Sequence, residues 1–182
     1  MIGSLDAERP YRMVRRSVAL LVLLLCFAAP ALALDGVSFE LGRGNDRTDV
    51  VRLGLQWNWD KRWLDTGRWH LGAYWDVQLG RWNDSHDLHD ISLTPVFRFQ
   101  RSSGELIPYV EGAIGFHVLS DLRINRRRVF STKFQFGDHI GAGLKLGRHD
   151  LSVRLQHVSN GRLARPNPGI NFLLLRYQLH FD

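Results

Sequence analysis

The chain has 182 residues, 45% hydrophobic and 23% charged, which is enough for one folded domain and too apolar for a disordered segment. A formal net charge of +6 favours an anionic partner and leaves nucleic acid, phospholipid and lipopolysaccharide open on charge alone. With Cys26 as its one cysteine, the chain has no disulfide of its own to rely on.

Residues 1–33 read as a cleaved signal peptide. Arg12, Arg15 and Arg16 precede an apolar run from Val18 to Ala29, and Ala31-Leu32-Ala33 supplies the small-x-small pattern of signal peptidase. The run is short for a membrane span and Pro30 breaks it. Met13 offers an alternative start. Cys26 falls in this leader behind Leu24 and Leu25, not behind the small residues of a lipoprotein site, so the domain expected over 34–182 has no thiol for catalysis or metal binding.

After the leader the chain alternates with the period of strands. The pattern is weak over 37–44 and 48–57. It is clear at Trp69, Leu71, Ala73, Trp75, Val77 and Leu79, and again at Ile91, Leu93, Pro95, Phe97 and Phe99. A segment over 107–119 follows, then Ile140, Ala142, Leu144 and Leu146, then Leu151, Val153 and Leu155, and last Leu173, Leu175, Tyr177, Leu179 and Phe181. Turn-forming clusters at 101–104 and 147–150 divide them. Several strands reach roughly ten residues, the length that crosses a bilayer at a tilt. The fold class is therefore all-β: an eight-stranded antiparallel transmembrane β-barrel. A soluble sandwich or lipocalin-like barrel is the alternative and would turn the apolar face inward. Aromatics near strand ends, with Gly and mixed polar residues on the opposite face, favour the membrane barrel; Trp57, Trp59, Trp63, Trp69, Trp75 and Trp82 read as interfacial anchors. Gly141 and Gly143 read as small residues for a crowded interior, not as a phosphate loop.

Both termini of such a barrel face the periplasm. The turns at 102–105 and 147–150 then lie on that side, and the outer loops lie near Asn45, at 82–88, at 120–132 and at 160–169. His157 and Ser159 fall at the outer-leaflet end of the seventh strand, on the same face as Leu151, Val153 and Leu155. Serine needs an adjacent base to act as a nucleophile, and an imidazole needs a partner to hold its tautomer. Counting back from Phe181 puts Asn171 of the next strand on the same side. Polar groups on a lipid-facing wall are costly unless paired, so this cluster points to mutual bonding or function.

His157-Val-Ser159-Asn160-Gly161, followed by Pro166-Asn167-Pro168-Gly169-Ile170-Asn171, resembles the signature of PagL-type lipid A 3-O-deacylases. The likeness covers the exported domain in outline and is sharp over the last strand pair. It implies an outer-membrane eight-stranded barrel that hydrolyses the ester-linked acyl chain at the 3-position of lipid A, with Ser159 as nucleophile and His157 as general base. It further implies Asn167 and the backbone near Gly161 as oxyanion stabilisers, and Asn160 as a supporting residue. An acidic residue is expected where this chain has Asn171. An amide oxygen still accepts the imidazole N–H, but it cannot balance an imidazolium by full charge. Asp138 is the alternative acid: with Leu146 opposite Leu151 it would stand opposite Ser159 on the outer face, unless a bulge near Gly137 turns it inward.

Arg123, Arg126, Arg127 and Arg128, with Lys133, crowd one outer loop and suit either lipid A phosphates or solvent. The run Asn83–Asp90 reads as a mobile polar loop, and neither a metal nor another cofactor is assigned. The partners expected are lipid A or lipopolysaccharide in the outer membrane of a Gram-negative cell, not nucleic acid; a homodimer stays open. The expected function is a serine carboxylic ester hydrolase modifying lipopolysaccharide. The rival readings are a non-catalytic structural or adhesive barrel and a phospholipase.

Overall fold

The computed structural model describes residues 33–125 and 128–181, so the expected leader, apart from Ala33, lies outside the described residues, as do Arg126 and Arg127. Eight strands follow in order: β1 (Gly36–Gly44), β2 (Asp49–Asn58), β3 (Trp69–Asn83), β4 (Leu88–Arg101), β5 (Leu106–Leu119), β6 (Phe134–Leu146), β7 (His149–Ser159) and β8 (Ile170–His180). Each pairs antiparallel with the next, and β1 pairs with β8 to close the barrel. Closure removes both sheet edges, which in hydrocarbon would leave unpaired N–H and C=O groups.

Burial runs opposite to that of a soluble barrel. Leu53 and Ile140 are 64% and 66% exposed on the outer wall, while Arg52, Arg154 and Arg176 are at most 2% exposed inside. This excludes the lipocalin-like alternative, whose core would be apolar.

The interior is filled by ion pairs. Arg154 bonds Glu111 at 2.7 Å and Glu40 at 3.2 Å, Arg52 bonds Glu40 at 2.8 Å, Arg98 bonds Asp150 at 2.7 Å and Glu111 at 2.9 Å, and Arg176 bonds Asp76 at 3.0 Å. The Tyr74 hydroxyl lies within the network, receiving Arg154 at 2.8 Å and donating to Glu111 at 3.0 Å. Inward glycines make room for these side chains. A Cβ on Gly141 would come within 3.0 Å of the Arg154 stem, and one on Gly143 would meet the Tyr109 ring.

Toward the outer end the interior changes to an apolar plug in which Trp82, Leu88, Leu119 and Phe172 meet Ile124 and Phe130 from the loop at 120–133. Trp82 is thus no interfacial anchor. It is fully buried, donates its indole N–H to Asp90 at 2.9 Å and packs edge-on against Phe172. Trp59, Trp63 and Trp75 cluster with Phe97 instead.

The β6–β7 register also differs from the sequence expectation. Leu146 pairs with His149 rather than Leu151, and Asp138 pairs with His157 rather than Ser159. The turn is two residues shorter than expected, made by Gly147-Arg148 with φ 56° at the glycine, as a tight hairpin requires. His149 and Asp150 are drawn into β7, where Asp150 turns inward to Arg98 and Tyr109.

Candidate active site

The register places Asn171 of β8, His157 of β7 and Asp138 of β6 in one row across the outer wall near the outer loops. All three alternate with buried neighbours, so the strand period alone turns them outward. His157 is half-buried and its Nδ1 lies 2.6 Å from Asn171 Oδ1. An amide oxygen can only accept, so Nδ1 is the donor in this bond and Nε2 is the nitrogen left clear of Asn171. Ser159 is half-buried two residues further along β7, and its hydroxyl makes no hydrogen bond among the described residues.

Gly169 lies against both the imidazole and the serine. Its φ is 54°, and a Cβ there would lie 2.8 Å from His157 Cε1, 3.2 Å from Nε2 and 3.6 Å from Ser159 Cβ. The returning backbone thus passes close to the Cε1–Nε2 edge of the imidazole and to Ser159, and no hydrogen bond joins those two side chains among the described residues. Gly169→Ala adds a carbon where none fits and a left-handed strain besides, so it is expected to push His157 aside and slow turnover by ten- to about a hundredfold, the scale of an ångström's misplacement. Turnover equal to the parent, with the barrel folded, would show that this contact is dispensable.

The loop at 160–169 is organised around Asn160, which is fully buried. Its side chain donates to Ser131 at 2.8 Å and to the Ala164 carbonyl at 2.9 Å, and accepts from the Arg162 amide at 2.9 Å. Its own amide donates to Asn167 Oδ1 at 3.1 Å. With that oxygen engaged, the Nδ2 of Asn167 carries no bond among the described residues and is a free donor. Gly161 holds a φ of 62° against Phe136. Phe136 is the β6 partner of Ser159.

Asp138 is exposed on the outer face, so no bulge at Gly137 turns it inward; it makes no ion pair or hydrogen bond among the described residues. The outer-loop arginines are not alike. Arg128 is half-buried and bonds Asp46 at 2.8 Å, clamping its loop to the β1–β2 turn, whereas Arg123 is exposed. Lys133 donates to the Ser120 carbonyl at 2.7 Å. Partial burial would raise the Asp46 carboxyl, but hydrogen bonds from Thr48, the Arg128 charge and the Asn125 amide outweigh it and hold it below the usual carboxylate range. The run Asn83–Asp90 divides: Asp84 bonds Thr48 and Asn125 outside, whereas Asp90 points inward to Arg52 and His117. No cluster of three or more metal-binding side chains occurs among the described residues.

Sequence reasoning quoted Gly169 within the motif but gave it no role, and it did not name Phe136 or Ser131. The signal for Gly169 was its place after Pro168 and directly before a strand. Phe136 was hidden because the expected register, two residues off, set Asp138 opposite Ser159, the place that Phe136 holds.

The family model described as Lipid A 3-O-deacylase (PagL) matches residues 49–180. The chain is 35% identical over 155 residues to the lipid A deacylase PagL of Pseudomonas aeruginosa, covering 83% of this chain and 88% of that one. It is 33% identical over 170 residues to the lipid A deacylase PagL of Bordetella bronchiseptica, covering 87% and 90%. A crystal structure of the outer membrane enzyme PagL superposes with a TM-score of 0.76 at 33% identity, over 80% of this chain and 99% of that one.

Proposed function

The chain belongs to the lipid A 3-O-deacylase (PagL) family, and from that premise we propose that Ser159 and His157 are the residues with which it cleaves its ester. It is an ester hydrolase of the outer membrane that removes the 3-O-linked acyl chain from lipid A. Ser159 Oγ attacks the ester carbonyl while His157 Nε2 takes its proton, and Asn171 Oδ1 holds the opposite N–H. The oxyanion is met by Asn167 Nδ2 and the Gly161 amide. As the tetrahedral centre collapses, the sugar hydroxyl leaves with the proton from His157, and the acyl group stays on Ser159. Water, deprotonated by the same imidazole, then releases the fatty acid. The observation that carries this reading is the 2.6 Å bond from His157 to Asn171 on a wall otherwise given to lipid. Mass spectrometry of lipid A after expression tests it: loss of one hydroxyacyl chain supports it, and unchanged lipid A overturns it.

Asn171 orients His157 in this scheme, and Asp138 serves as a nearby charge at most. Asn171→Ala is expected to lower kcat/KM by ten- to about a hundredfold with the barrel intact, and Asn171→Asp to raise it above the parent by stabilising the imidazolium. Asp138→Asn should leave the rate near that of the parent. If Asp138→Asn falls as far as Asn171→Ala, the orienting role passes to Asp138.

Arg123, Arg126 and Arg127 are proposed to meet the phosphates of lipid A, with Arg128 already committed to Asp46. Signal-peptidase cleavage after Ala33 accords with the location. A homodimer is compatible with this chemistry, and crosslinking in the membrane would report it.

A further inference from the structure

The end of the barrel opposite Ser159, where β2 hands over to β3, holds a separate cavity of about 200 Å³ in its mouth. Its lining is one-sided in charge. Lys61, Arg62, Arg98 and Lys145 contribute to it, and none of the lining side chains is a carboxylate. Arg98 is already met deeper in the lumen, by Glu111 at 2.9 Å and Asp150 at 2.7 Å. Arg62 is exposed and makes no hydrogen bond or ion pair among the described residues, and the Lys61 ammonium stands over the Trp63 ring at 5.5 Å. Asn58 accepts from Gln56 Nε2 at 2.7 Å through Oδ1, which leaves its own Nδ2 to donate. The acids of the same rim are turned elsewhere: Asp35 accepts the Asn58 amide at 2.7 Å, Asp65 accepts the Gly67 amide at 2.8 Å, and Asp60 is exposed outside the lining.

The sequence builds this mouth in one short run, Asn58-Trp59-Asp60-Lys61-Arg62-Trp63, pinned at both tryptophans. The Trp59 amide donates to the Ala73 carbonyl at 2.9 Å, and its ring packs against Trp75 and Phe97 of the outer wall at 5.3 Å and 5.7 Å. Trp63 then bridges to Leu71. Lys61 and Arg62, between the two pins, are thereby held at the rim and not left on a free loop. Gly72 keeps the space beneath them open, since the nearest heavy atom to a Cβ there is His70 Cδ2 at 3.9 Å.

We propose that this mouth binds a phosphate group, held by the Arg62 guanidinium, the Lys61 ammonium and the Asn58 amide. Guanidinium, ammonium and amide together present more N–H donors than a carboxylate has lone pairs to meet, whereas a phosphate has further oxygens to offer them. The cavity has room for such an oxyanion with several waters, at about 30 Å³ per water in the liquid. Two sources carry this chemistry: inorganic phosphate, and the headgroup of a glycerophospholipid. The aromatic cluster of Trp59, Trp75 and Phe97 beside the mouth is the kind that sits at headgroup level, which brings the second source within reach. The site stands at the far end from the ester chemistry and does not depend on it.

The test uses the purified full-length barrel in a nonionic detergent at fixed low ionic strength, because salt screens exposed charges. One arm titrates inorganic phosphate by calorimetry, and the other titrates phosphatidylglycerol carried in the same micelles; heat-modifiable gel mobility confirms folding. Saturable binding of either probe is expected, weakened at least about tenfold in the double variant Lys61→Gln, Arg62→Gln and unchanged in Arg101→Gln, an exposed cation of the same end outside the lining. Arg62→Gln alone is expected to weaken binding by three- to about tenfold, and it carries the test if the double variant does not fold. Saturation by inorganic phosphate assigns the site to the free oxyanion, and saturation by the lipid alone assigns it to the headgroup. Saturation by neither probe, parental affinity in the folded variants, or an equal loss in Arg101→Gln overturns the proposal.

Discussion

Ser159→Ala is expected to give a folded barrel whose kcat/KM on lipid A is lower by at least about a thousandfold. The hydroxyl is half-buried at the end of β7 and makes no hydrogen bond among the described residues, so its removal breaks no contact that holds the wall. Heat-modifiable mobility and the denaturation midpoint should therefore match the parent. His157→Asn should be about as slow, and the double variant no slower than either single one, because nucleophile and base act as a unit. Additive losses in the double variant would show that the two side chains work separately. Parental deacylation by Ser159→Ala, read by mass spectrometry of lipid A, would remove the assignment.

The largest effect on stability is expected inside the barrel. Arg154 joins Glu111, Glu40, Asp76 and the Tyr74 hydroxyl, and its side chain is almost fully buried. Arg154→Ala leaves those carboxylates short of a cation in a place water scarcely reaches, which costs about 3–5 kcal/mol for a buried pair broken from one side. The denaturation midpoint in urea should fall accordingly, while each molecule that does fold keeps its deacylase activity, since the outer face of β7 is untouched. A loss below about 1 kcal/mol would mean that Arg52 and Arg176 take over the carboxylates. Exchange for a methionine together with Glu111→Gln should recover part of the loss, because both charges then leave together.

Strands and their faces were legible because alternation has a period of two and a lipid-facing wall keeps it strictly; that alone set His157, Ser159 and Asn171 on one side. The pairing of β6 with β7 was misjudged by two residues because Gly147–Asp150 has the composition of a four-residue turn, and nothing local shows that Arg98 and Tyr109 recruit Asp150. The interior network was beyond reach for a related reason: Arg154 and Glu40 are 114 residues apart, and only barrel closure makes them neighbours. Trp82 could have been placed correctly. It shares parity with Asp76, Gln78 and Gly80, which face inward, but its nearness to a strand end suggested an anchor. Gly169 matters through the side chain it lacks, and an absent side chain leaves no pattern in a hydropathy profile.

A barrel packed solid with arginines, carboxylates and an aromatic stopper is a post, not a pore. With the proposed site on its outer wall, reactants and products would move along its flank in the membrane, and the freed fatty acid would be delivered there beside the enzyme. Trimming the cell's surface lipid in this way opens no conduit for ions or antibiotics, so the envelope keeps its seal while its composition is altered.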